Sequence, residues 1–347
     1  MLVAVTGGTG FLGSHSVAAL LRAGHRVRLL VRTEQAVEAA LRPLGLDPGA
    51  VDVVVGDVTD EVSVRRTVRT ADSVLHAAAV FSFDARDRRR MREVNARGTE
   101  IVLRAARDAD VGKVVYVSSV VALMPSPGRP LSADSPVGRP RETYFASKAA
   151  AEVIARRHQA AGAPIAITYP PALLGPQDPH VGDQTTRLRN ILRGLMPMWP
   201  LGGFPVGDVR DTAALHARLL STEFEEHGRY FGPGRYLSTR DYLNTVRGVT
   251  GRRLPTAFLP APAMLPVGVL TSLIQPIWPF HIPAEYGGLY ICMCAARVDD
   301  GACAPLGIQA RPAAETVLDT VRWLHEQGLL SDRQAGSAAA LVSRRNA

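Results

Sequence analysis

Short apolar runs alternate with amphipathic helical stretches through the first half of the chain. LVAVT leads into FLGSHSVAALLRAG, VRLLV into a helix from Glu34 to Leu41, and VDVVVGD into a segment from Val62 to Thr70. SVLHAAA then leads into a long helix from about Arg86 to Asp110, KVVYVSS into a helix from Tyr144 to Ala161, and PIAITYPP closes the series. Strands separated by helices at this spacing predict a parallel sheet covered on both faces. The predicted fold class is α/β, with a doubly wound parallel sheet. In such a sheet a ligand lies at the carboxyl ends of the strands, where the chain order reverses, and the first of those ends is TGGTGFLG.

After about Gly175 the pattern gives way to short apolar pieces broken by proline and glycine, with brief helices expected at Thr186 to Gly194, Thr212 to Ser221 and Ser238 to Val249. This texture predicts a smaller C-terminal substrate-binding region over residues 176–330, with some segments returning to the core formed by residues 1–175. From Phe258 to Met293 the chain is strongly apolar but interrupted by Pro266, Pro276, Pro279 and Pro283. Its longest proline-free piece falls short of the roughly 20 apolar residues that a membrane-spanning helix needs. No integral membrane segment is expected. The stretch reads as a core or pocket wall, or alternatively as a lid or patch touching an apolar substrate or a membrane surface. An amphipathic helix, ETVLDTVRWLHEQGLL, ends the patterned region, and the polar tail at 331–347 is expected to fray.

At 347 residues and 46% hydrophobic content the chain is able to bury a sizeable core. Its formal net charge is +8, yet the basic residues are scattered over helical faces apart from Arg88, Arg89, Arg90 and Arg92 around Met91. That run reads as a solvated helix face without interleaved aromatics, so nucleic acid is not an expected partner. Cys292, Cys294 and Cys303 lack a paired ligand set and read as ordinary thiols in a reducing compartment, so no metal site is expected. The first residues lack the basic flank, long apolar run and cleavage site of a signal peptide, and a cytoplasmic location is expected. Only Lys113 and Lys148 are lysines among 40 Lys+Arg residues, so this chain uses arginine wherever mere positive charge is needed.

Gly7, Gly10 and Gly13 form G-x-x-G-x-x-G, and Gly8, Gly10 and Gly13 also satisfy G-x-G-x-x-G, at a strand-to-helix junction. Such glycines allow a tight turn, bring backbone N–H groups up to a pyrophosphate and let the helix pack closely on the sheet. With the following βαβ units, they predict a Rossmann fold that binds a dinucleotide. NAD binders place an acidic residue near the end of the second strand for the ribose hydroxyls, whereas a 2′-phosphate needs a cation there. VRLLVRTE has Val31 and Arg32 at that point, and the guanidinium fork suits phosphate. NADP(H) is therefore favoured over NAD(H), although Arg32 stacking on the adenine is an alternative. Asp57 and Val58 in VGDVTD are placed to meet the adenine, and Ala77 and Ala78 in HAAAV leave room for the ribose and pyrophosphate.

YFASK puts Tyr144 and Lys148 at i and i+4, on one face of a helix. A phenol is a poor acid or base near neutral pH, with an unperturbed pKa of about 10. A neighbouring ammonium favours the tyrosinate and can bind the nicotinamide ribose. Such a phenol can pass a proton to or from a substrate oxygen while hydride moves between the nicotinamide and the carbon. At the end of the preceding strand, Ser118 and Ser119 offer hydroxyls to hold a substrate carbonyl against the tyrosine, or simply cap the strand end.

With the glycine loop, the strand-end serines and the helical Tyr/Lys pair in this order, the chain resembles the short-chain dehydrogenase/reductase superfamily, in its extended branch, over about residues 1–330. By that resemblance TGGTGFLG is the cofactor loop, with Thr9, Phe11 and Leu12 beside Gly7, Gly10 and Gly13, and Ser119, Tyr144 and Lys148 are catalytic, Ser119 having the better spacing. Asn95, in VNARGT, matches a helix asparagine that shapes the cofactor and active-site region of this branch. VRLLVR resembles NADP-linked members similar to dihydroflavonol 4-reductase, and ITYPPALLGPQDP is like their strand and loop covering the nicotinamide, which brings in Tyr169 and Pro170. PVGDVRDTAALHARLL and LGIQARPAAETVLDTVRWLHEQG also look like family segments. Sugar-nucleotide epimerases and dehydratases of the branch carry an asparagine where this chain has Pro171, so a sugar nucleotide is not the expected substrate.

The resemblance, with the apolar stretch near the pocket, implies an NADP(H)-dependent oxidoreductase that interconverts an apolar ketone or aldehyde and its alcohol. The alternatives are an NAD-dependent hydroxysteroid-dehydrogenase-like enzyme, an NAD-dependent epimerase or dehydratase, and a dinucleotide-sensing protein without catalysis. Many relatives form homodimers through the helices near Arg92 to Asp110 and Tyr144 to Ala161, while others act as single chains.

Overall fold

The structure, a computed structural model, describes residues 1–83, 85–126, 129–222, 228–274, 286–298 and 306–339. Five βα repeats open it. They are β1 (Leu2–Thr6) and α1 (Phe11–Arg22), β2 (Arg26–Val31) and α2 (Gln35–Leu41), β3 (Val51–Val55) and α3 (Glu61–Val68), β4 (Ser73–His76) with α4 (Arg88–Met91) and α5 (Gly98–Asp108), and β5 (Lys113–Val117) with α6 (Thr143–Ala160). There follow β6 (Ile165–Tyr169), β7 (Ala172–Leu174), α7 (Asp183–Leu192), β8 (Met198–Leu201), β9 (Gly203–Asp208), α8 (Val209–Ser221), β10 (Arg229–Phe231), β11 (Arg235–Ser238) and α9 (Thr239–Thr250). The chain ends with β12 (Ala257–Pro260), α10 (Ala261–Ile274), α11 (Tyr286–Cys294), α12 (Ala313–Glu326) and α13 (Asp332–Ala335).

Seven strands form the main sheet in the order β10-β6-β5-β4-β1-β2-β3, and every neighbouring pair is parallel. This is the doubly wound arrangement that the alternating pattern predicts. The chain leaves β1 toward β2 and β3, then crosses back to β4, so the crevice opens above the carboxyl ends of β1 and β4. Burial follows the strand period. Val3 and Val5 pack with Val17 and Leu20 of α1 and Leu215 and Leu219 of α8, whereas Ala4 points to the opposite layer with Val64, Val102 and Ala151.

Beyond β6 the chain builds a three-stranded sheet, β11-β9-β7, and a parallel pair, β12-β8. It also returns to the first layer: α8 packs on α1 and β10 extends the main sheet beside β6. The apolar stretch from Phe258 holds α10, a charge-free helix with Pro266 inside it, and α11, which packs against α10. Pro276, Pro279, Pro283 and Cys303 lie outside the described residues. Among the described residues no helix is long and apolar enough to cross a membrane.

Two expectations change. The long helix placed at about Arg86 to Asp110 is a composite, in which a π-helical segment at Arg92–Arg97 joins α4 to α5. The tail expected to fray from Ser331 instead begins with α13, closed by a capping box between Ser331 and Gln334, and buries Ala335 and Ala338. Arg252 donates to the Gln334 carbonyl at 3.2 Å and Ser337 to the Val249 carbonyl at 3.0 Å, contacts between distant residues that a polar tail sequence does not reveal.

Candidate active site

The glycine loop fills the crevice between β1 and β4. Gly7 has φ +75° and lies so close to the chain after β4 that a Cβ would sit 2.5 Å from the Ala78 nitrogen. At Gly13 a Cβ would stand 1.9 Å from the Gly7 carbonyl oxygen, so only glycine lets α1 start this near the turn. Gly10 differs. A Cβ there would meet only the Gly7 oxygen, at 3.4 Å, so the space before the helix is bounded by backbone and left open. Gly10 caps α1 without a side-chain hydrogen bond, and the first N–H groups of the helix face that space with its positive dipole end. These features fit a pyrophosphate. The residues from Thr9 to Leu12 line the same turn, and the Phe11 ring leans edge-on against His15, which bonds the Pro176 carbonyl at 3.1 Å and ties the loop after β7 over the glycine turn.

Arg32 follows directly on β2, exposed and without an ion-pair or hydrogen-bond partner among the described residues. Asp57 sits past the end of β3 and closes its own turn by accepting from the Thr59 nitrogen and hydroxyl at 2.9 and 2.7 Å. Val58 is buried and packs on Gly98 at the start of α5. Ala77 donates to the Thr6 carbonyl at 3.0 Å, and half-buried Ala77 and Ala78 floor the crevice beside Gly7. Tyr169 has its side chain in the core, with the hydroxyl on Glu152, while Pro170 accepts from the Val120 nitrogen at 3.2 Å next to Ser119.

Below the loop runs a chain of hydrogen bonds. Thr99 donates its hydroxyl proton to the Asn95 carbonyl at 2.6 Å, so His76 Nε2 donates to Thr99 at 2.9 Å and Nδ1 accepts from Thr6 at 2.7 Å. Burial, with the Lys148 charge nearby, pushes His76 down to about 3 and keeps it neutral. Asn95 lies in the π-helical segment, a distortion common at functional sites, and its side chain clamps the Val80 backbone from both sides, at 2.7 and 2.9 Å, while donating to Ser147 of α6 at 2.9 Å. One amide thus joins the chain after β4 to the helix that carries Tyr144 and Lys148.

Glu142 caps α6 by accepting from the Phe145 nitrogen at 2.8 Å, which places Tyr144 in the first turn and Lys148 one turn further on. Lys148 is buried, donates to the Val117 carbonyl at 3.1 Å and stands 5.7 Å above the Tyr116 ring. Burial lowers its pKa to about 8 against the opposing pull of Glu152. Burial also raises the Tyr144 phenol, reinforced by the negative charges of Glu142 and Asp183, so the protonated form is held. Of the two serines, Ser118 is buried, whereas Ser119 is half-buried at the end of β5 and caps the turn Val120–Leu123.

Aromatic rings that sequence reasoning passed over complete the surroundings. Phe81 and Phe83 stand edge-on to Tyr144 at 4.6 and 6.3 Å, and Phe145, packed on Tyr290 of α11, lies at 6.1 Å. Gly287 lets α11 press on Phe83, where a Cβ would come within 2.1 Å of the ring. The described part of the apolar C-terminal stretch therefore forms one wall beside Tyr144. The alternation in FSF, separated from the end of β4 by four residues, was the available signal for Phe81 and Phe83.

A parallel sheet with a glycine loop at its switch point and a Tyr/Lys pair one helical turn apart at the same edge defines an NAD(P)-dependent oxidoreductase-type enzyme, of the extended short-chain dehydrogenase/reductase kind. The chain belongs to the NAD-dependent epimerase/dehydratase family, whose model matches residues 3–231. It is 28% identical over 336 residues to sterol demethylase protein B of Methylococcus capsulatus, covering 95% of this chain and all of that one. It is 29% identical to the 4-hydroxy-2-methyl-3-oxo-4-farnesyl-3,4-dihydroquinoline-1-oxide ketoreductase of Stigmatella aurantiaca, covering 96% of each. A Synechocystis protein provisionally named a dihydroflavonol 4-reductase is 32% identical, covering 74% of each chain. Among solved structures, gox2253 superposes with a TM-score of 0.79 at 26% identity, covering 95% of this chain and 99% of that one. The Bifidobacterium longum UDP-glucose 4-epimerase with NAD+ and UDP shares the fold with a TM-score of 0.74 at 19% identity, over 95% and 99% of the two chains.

Proposed function

We propose that this chain is an NADP(H)-dependent reductase of an apolar ketone or aldehyde, with Tyr144 as the proton donor, Lys148 as its charged partner and Ser119 as the residue that orients the carbonyl. The observation that carries this reading is the Tyr144/Lys148 pair on α6 beside the end of β5, with the Phe81 and Phe83 rings edge-on to the phenol. Gly7, Gly10 and Gly13 with the α1 N-terminus suit the pyrophosphate, and Arg32, with no acidic residue at the end of β2, suits a 2′-phosphate. When bound, the reduced nicotinamide supplies hydride to the carbonyl carbon. The chain's own part is to hold the carbonyl oxygen between the Ser119 hydroxyl and Tyr144, and to deliver the phenolic proton to that oxygen. Lys148 in its ammonium form compensates the charge that develops on Tyr144.

The similarity to a full-length ketoreductase and to a sterol-processing protein agrees with an apolar ring-bearing substrate. Titration of the purified protein with NADPH and NADH, followed by fluorescence, tests the cofactor assignment. Wild type is expected to prefer NADPH, and Arg32→Ala to weaken NADPH by about ten-fold or more, as expected from losing one charge-assisted phosphate contact, with NADH unchanged. NADH preference unaffected by Arg32→Ala would instead favour the hydroxysteroid-dehydrogenase or epimerase readings.

A further inference from the structure

Glu152 has no place in the chemistry just described, yet it is fully buried one helical turn beyond Lys148. Three groups define its setting. The Tyr169 hydroxyl donates to its Oε1 at 2.6 Å, and the Arg156 Nε donates to the same oxygen at 2.7 Å. Arg156 also donates to the Tyr169 hydroxyl at 3.0 Å and to the Ser135 carbonyl at 3.0 Å, so the carboxylate is braced from β6, from its own helix and from the chain before α6. Its second oxygen, Oε2, is buried and takes no hydrogen bond among the described residues. Arg156 thus compensates the charge at Oε1, whereas Oε2 is left buried without a donor, which is costly. Residues four apart on a helix are neighbours: Arg156 pairs with Oε1 from one turn beyond, and Lys148 stands one turn before Glu152.

We propose that Glu152, braced by Tyr169 and Arg156, is a positioning residue whose charge keeps Lys148 in the ammonium form beside Tyr144. The proposal rests on the reading of Lys148 as the partner of Tyr144. Among the described residues, the other groups around Lys148 do not supply that charge. From β5 come the Val117 carbonyl and the face of the Tyr116 ring, and from β4 comes His76, which is neutral and hydrogen-bonded on both nitrogens. The π-helical segment contributes Asn95, which is uncharged, and Glu142 and Asp183 act on Tyr144. Glu152 also explains why Tyr169 turns into the core: its phenol is the clamp that fixes the carboxylate.

The chain offers a direct test, because it has only two lysines. Protein grown with isotope-labelled lysine gives two side-chain signals, and Lys113→Arg assigns them. The Lys148 midpoint is then read from chemical shift against pH, without substrate and without reference to activity. Glu152→Gln keeps the hydrogen-bonding shape and removes the charge, so the midpoint is expected to fall by about one unit, the scale of a single opposite charge at close range. Arg156→Gln removes a positive charge from the other side of the carboxylate, so the midpoint is expected to rise. Opposite displacements exclude a general loosening of α6, which would move both variants the same way. If Glu152→Gln does not fold, Glu152→Asp is read in its place: it draws the charge back by one methylene, so the midpoint is expected to fall by a smaller amount, whereas loosening would raise it. Midpoints equal to wild type, or displaced in the same direction, overturn the proposal. Because the titration needs neither cofactor nor ketone, its outcome is separate from the reductase assignment, which an inactive enzyme with a normal Glu152 effect would contradict by itself.

Discussion

Gly13 shows what a single residue contributes here. Its missing Cβ is the only reason α1 can begin in contact with the turn it follows, since that atom would overlap the Gly7 carbonyl. Gly13→Ala is therefore expected to push the helix from the loop, lower thermal stability and weaken dinucleotide binding by about five-fold or more, the order of loss when an overpacked contact costs about 1–3 kcal/mol. Calorimetry and cofactor titration on one sample check both effects; unchanged affinity would show that the loop does not hold the pyrophosphate. The glycine turn, the place of Arg32 after β2 and the spacing of Tyr144 and Lys148 on one helix were legible in the sequence because each follows from local spacing. Glu152 was not, because its meaning depends on Tyr169, which the fold and not the chain order brings to it. Tyr169 illustrates the same limit: its position at the end of β6 is readable, whereas the direction of its ring is decided by the carboxylate behind it.

At the scale of elements, the alternating pattern specified β1 to β6 and their helices because strands buried on both faces leave long apolar runs. The composite helix before α5 was not readable, since helical periodicity changes little when an extra residue is accommodated in one turn. That turn sets Asn95 where it grips Val80, and Val80 leads directly into Phe81 and Phe83. Behind Phe83 lies α11, which Gly287 lets approach the ring. Phe81→Ala and Phe83→Ala are each expected to reduce kcat/KM for a bulky aryl or polycyclic ketone by about ten-fold, from roughly 1–3 kcal/mol of lost apolar contact, with a small aliphatic ketone little affected. Equal losses on both substrates would place these rings outside the substrate pocket.

At the scale of the whole molecule, the two layers on either face of the sheet are pinned by buried histidines. His76 and His216 are held down to about 3, and His15 to about 4, in each case chiefly by burial. Their folded values lie below the unfolded value of about 6.5, so between those limits the unfolded chain binds more protons. Stability is then full above about pH 6.5 and declines as the pH falls toward the folded values, with as many as three protons taken up on unfolding. Urea unfolding at a series of pH values is expected to show the midpoint dropping from about pH 6.5 downward. A flat midpoint down to about pH 5 would show that these rings are already charged in the fold.

The assembled site makes one claim that binding and stability data leave untouched: the Tyr144 phenol delivers the proton when hydride is transferred. The direct measurement follows NADPH consumption by wild type and Tyr144→Phe across a panel of apolar ketones, with NADPH affinity determined for both. The expected result is turnover by wild type and a loss of about 10²-fold or more in Tyr144→Phe, the range of general acid catalysis, at unchanged cofactor affinity. Equal turnover by the two proteins would contradict the role given to Tyr144 and, with it, the account of the site.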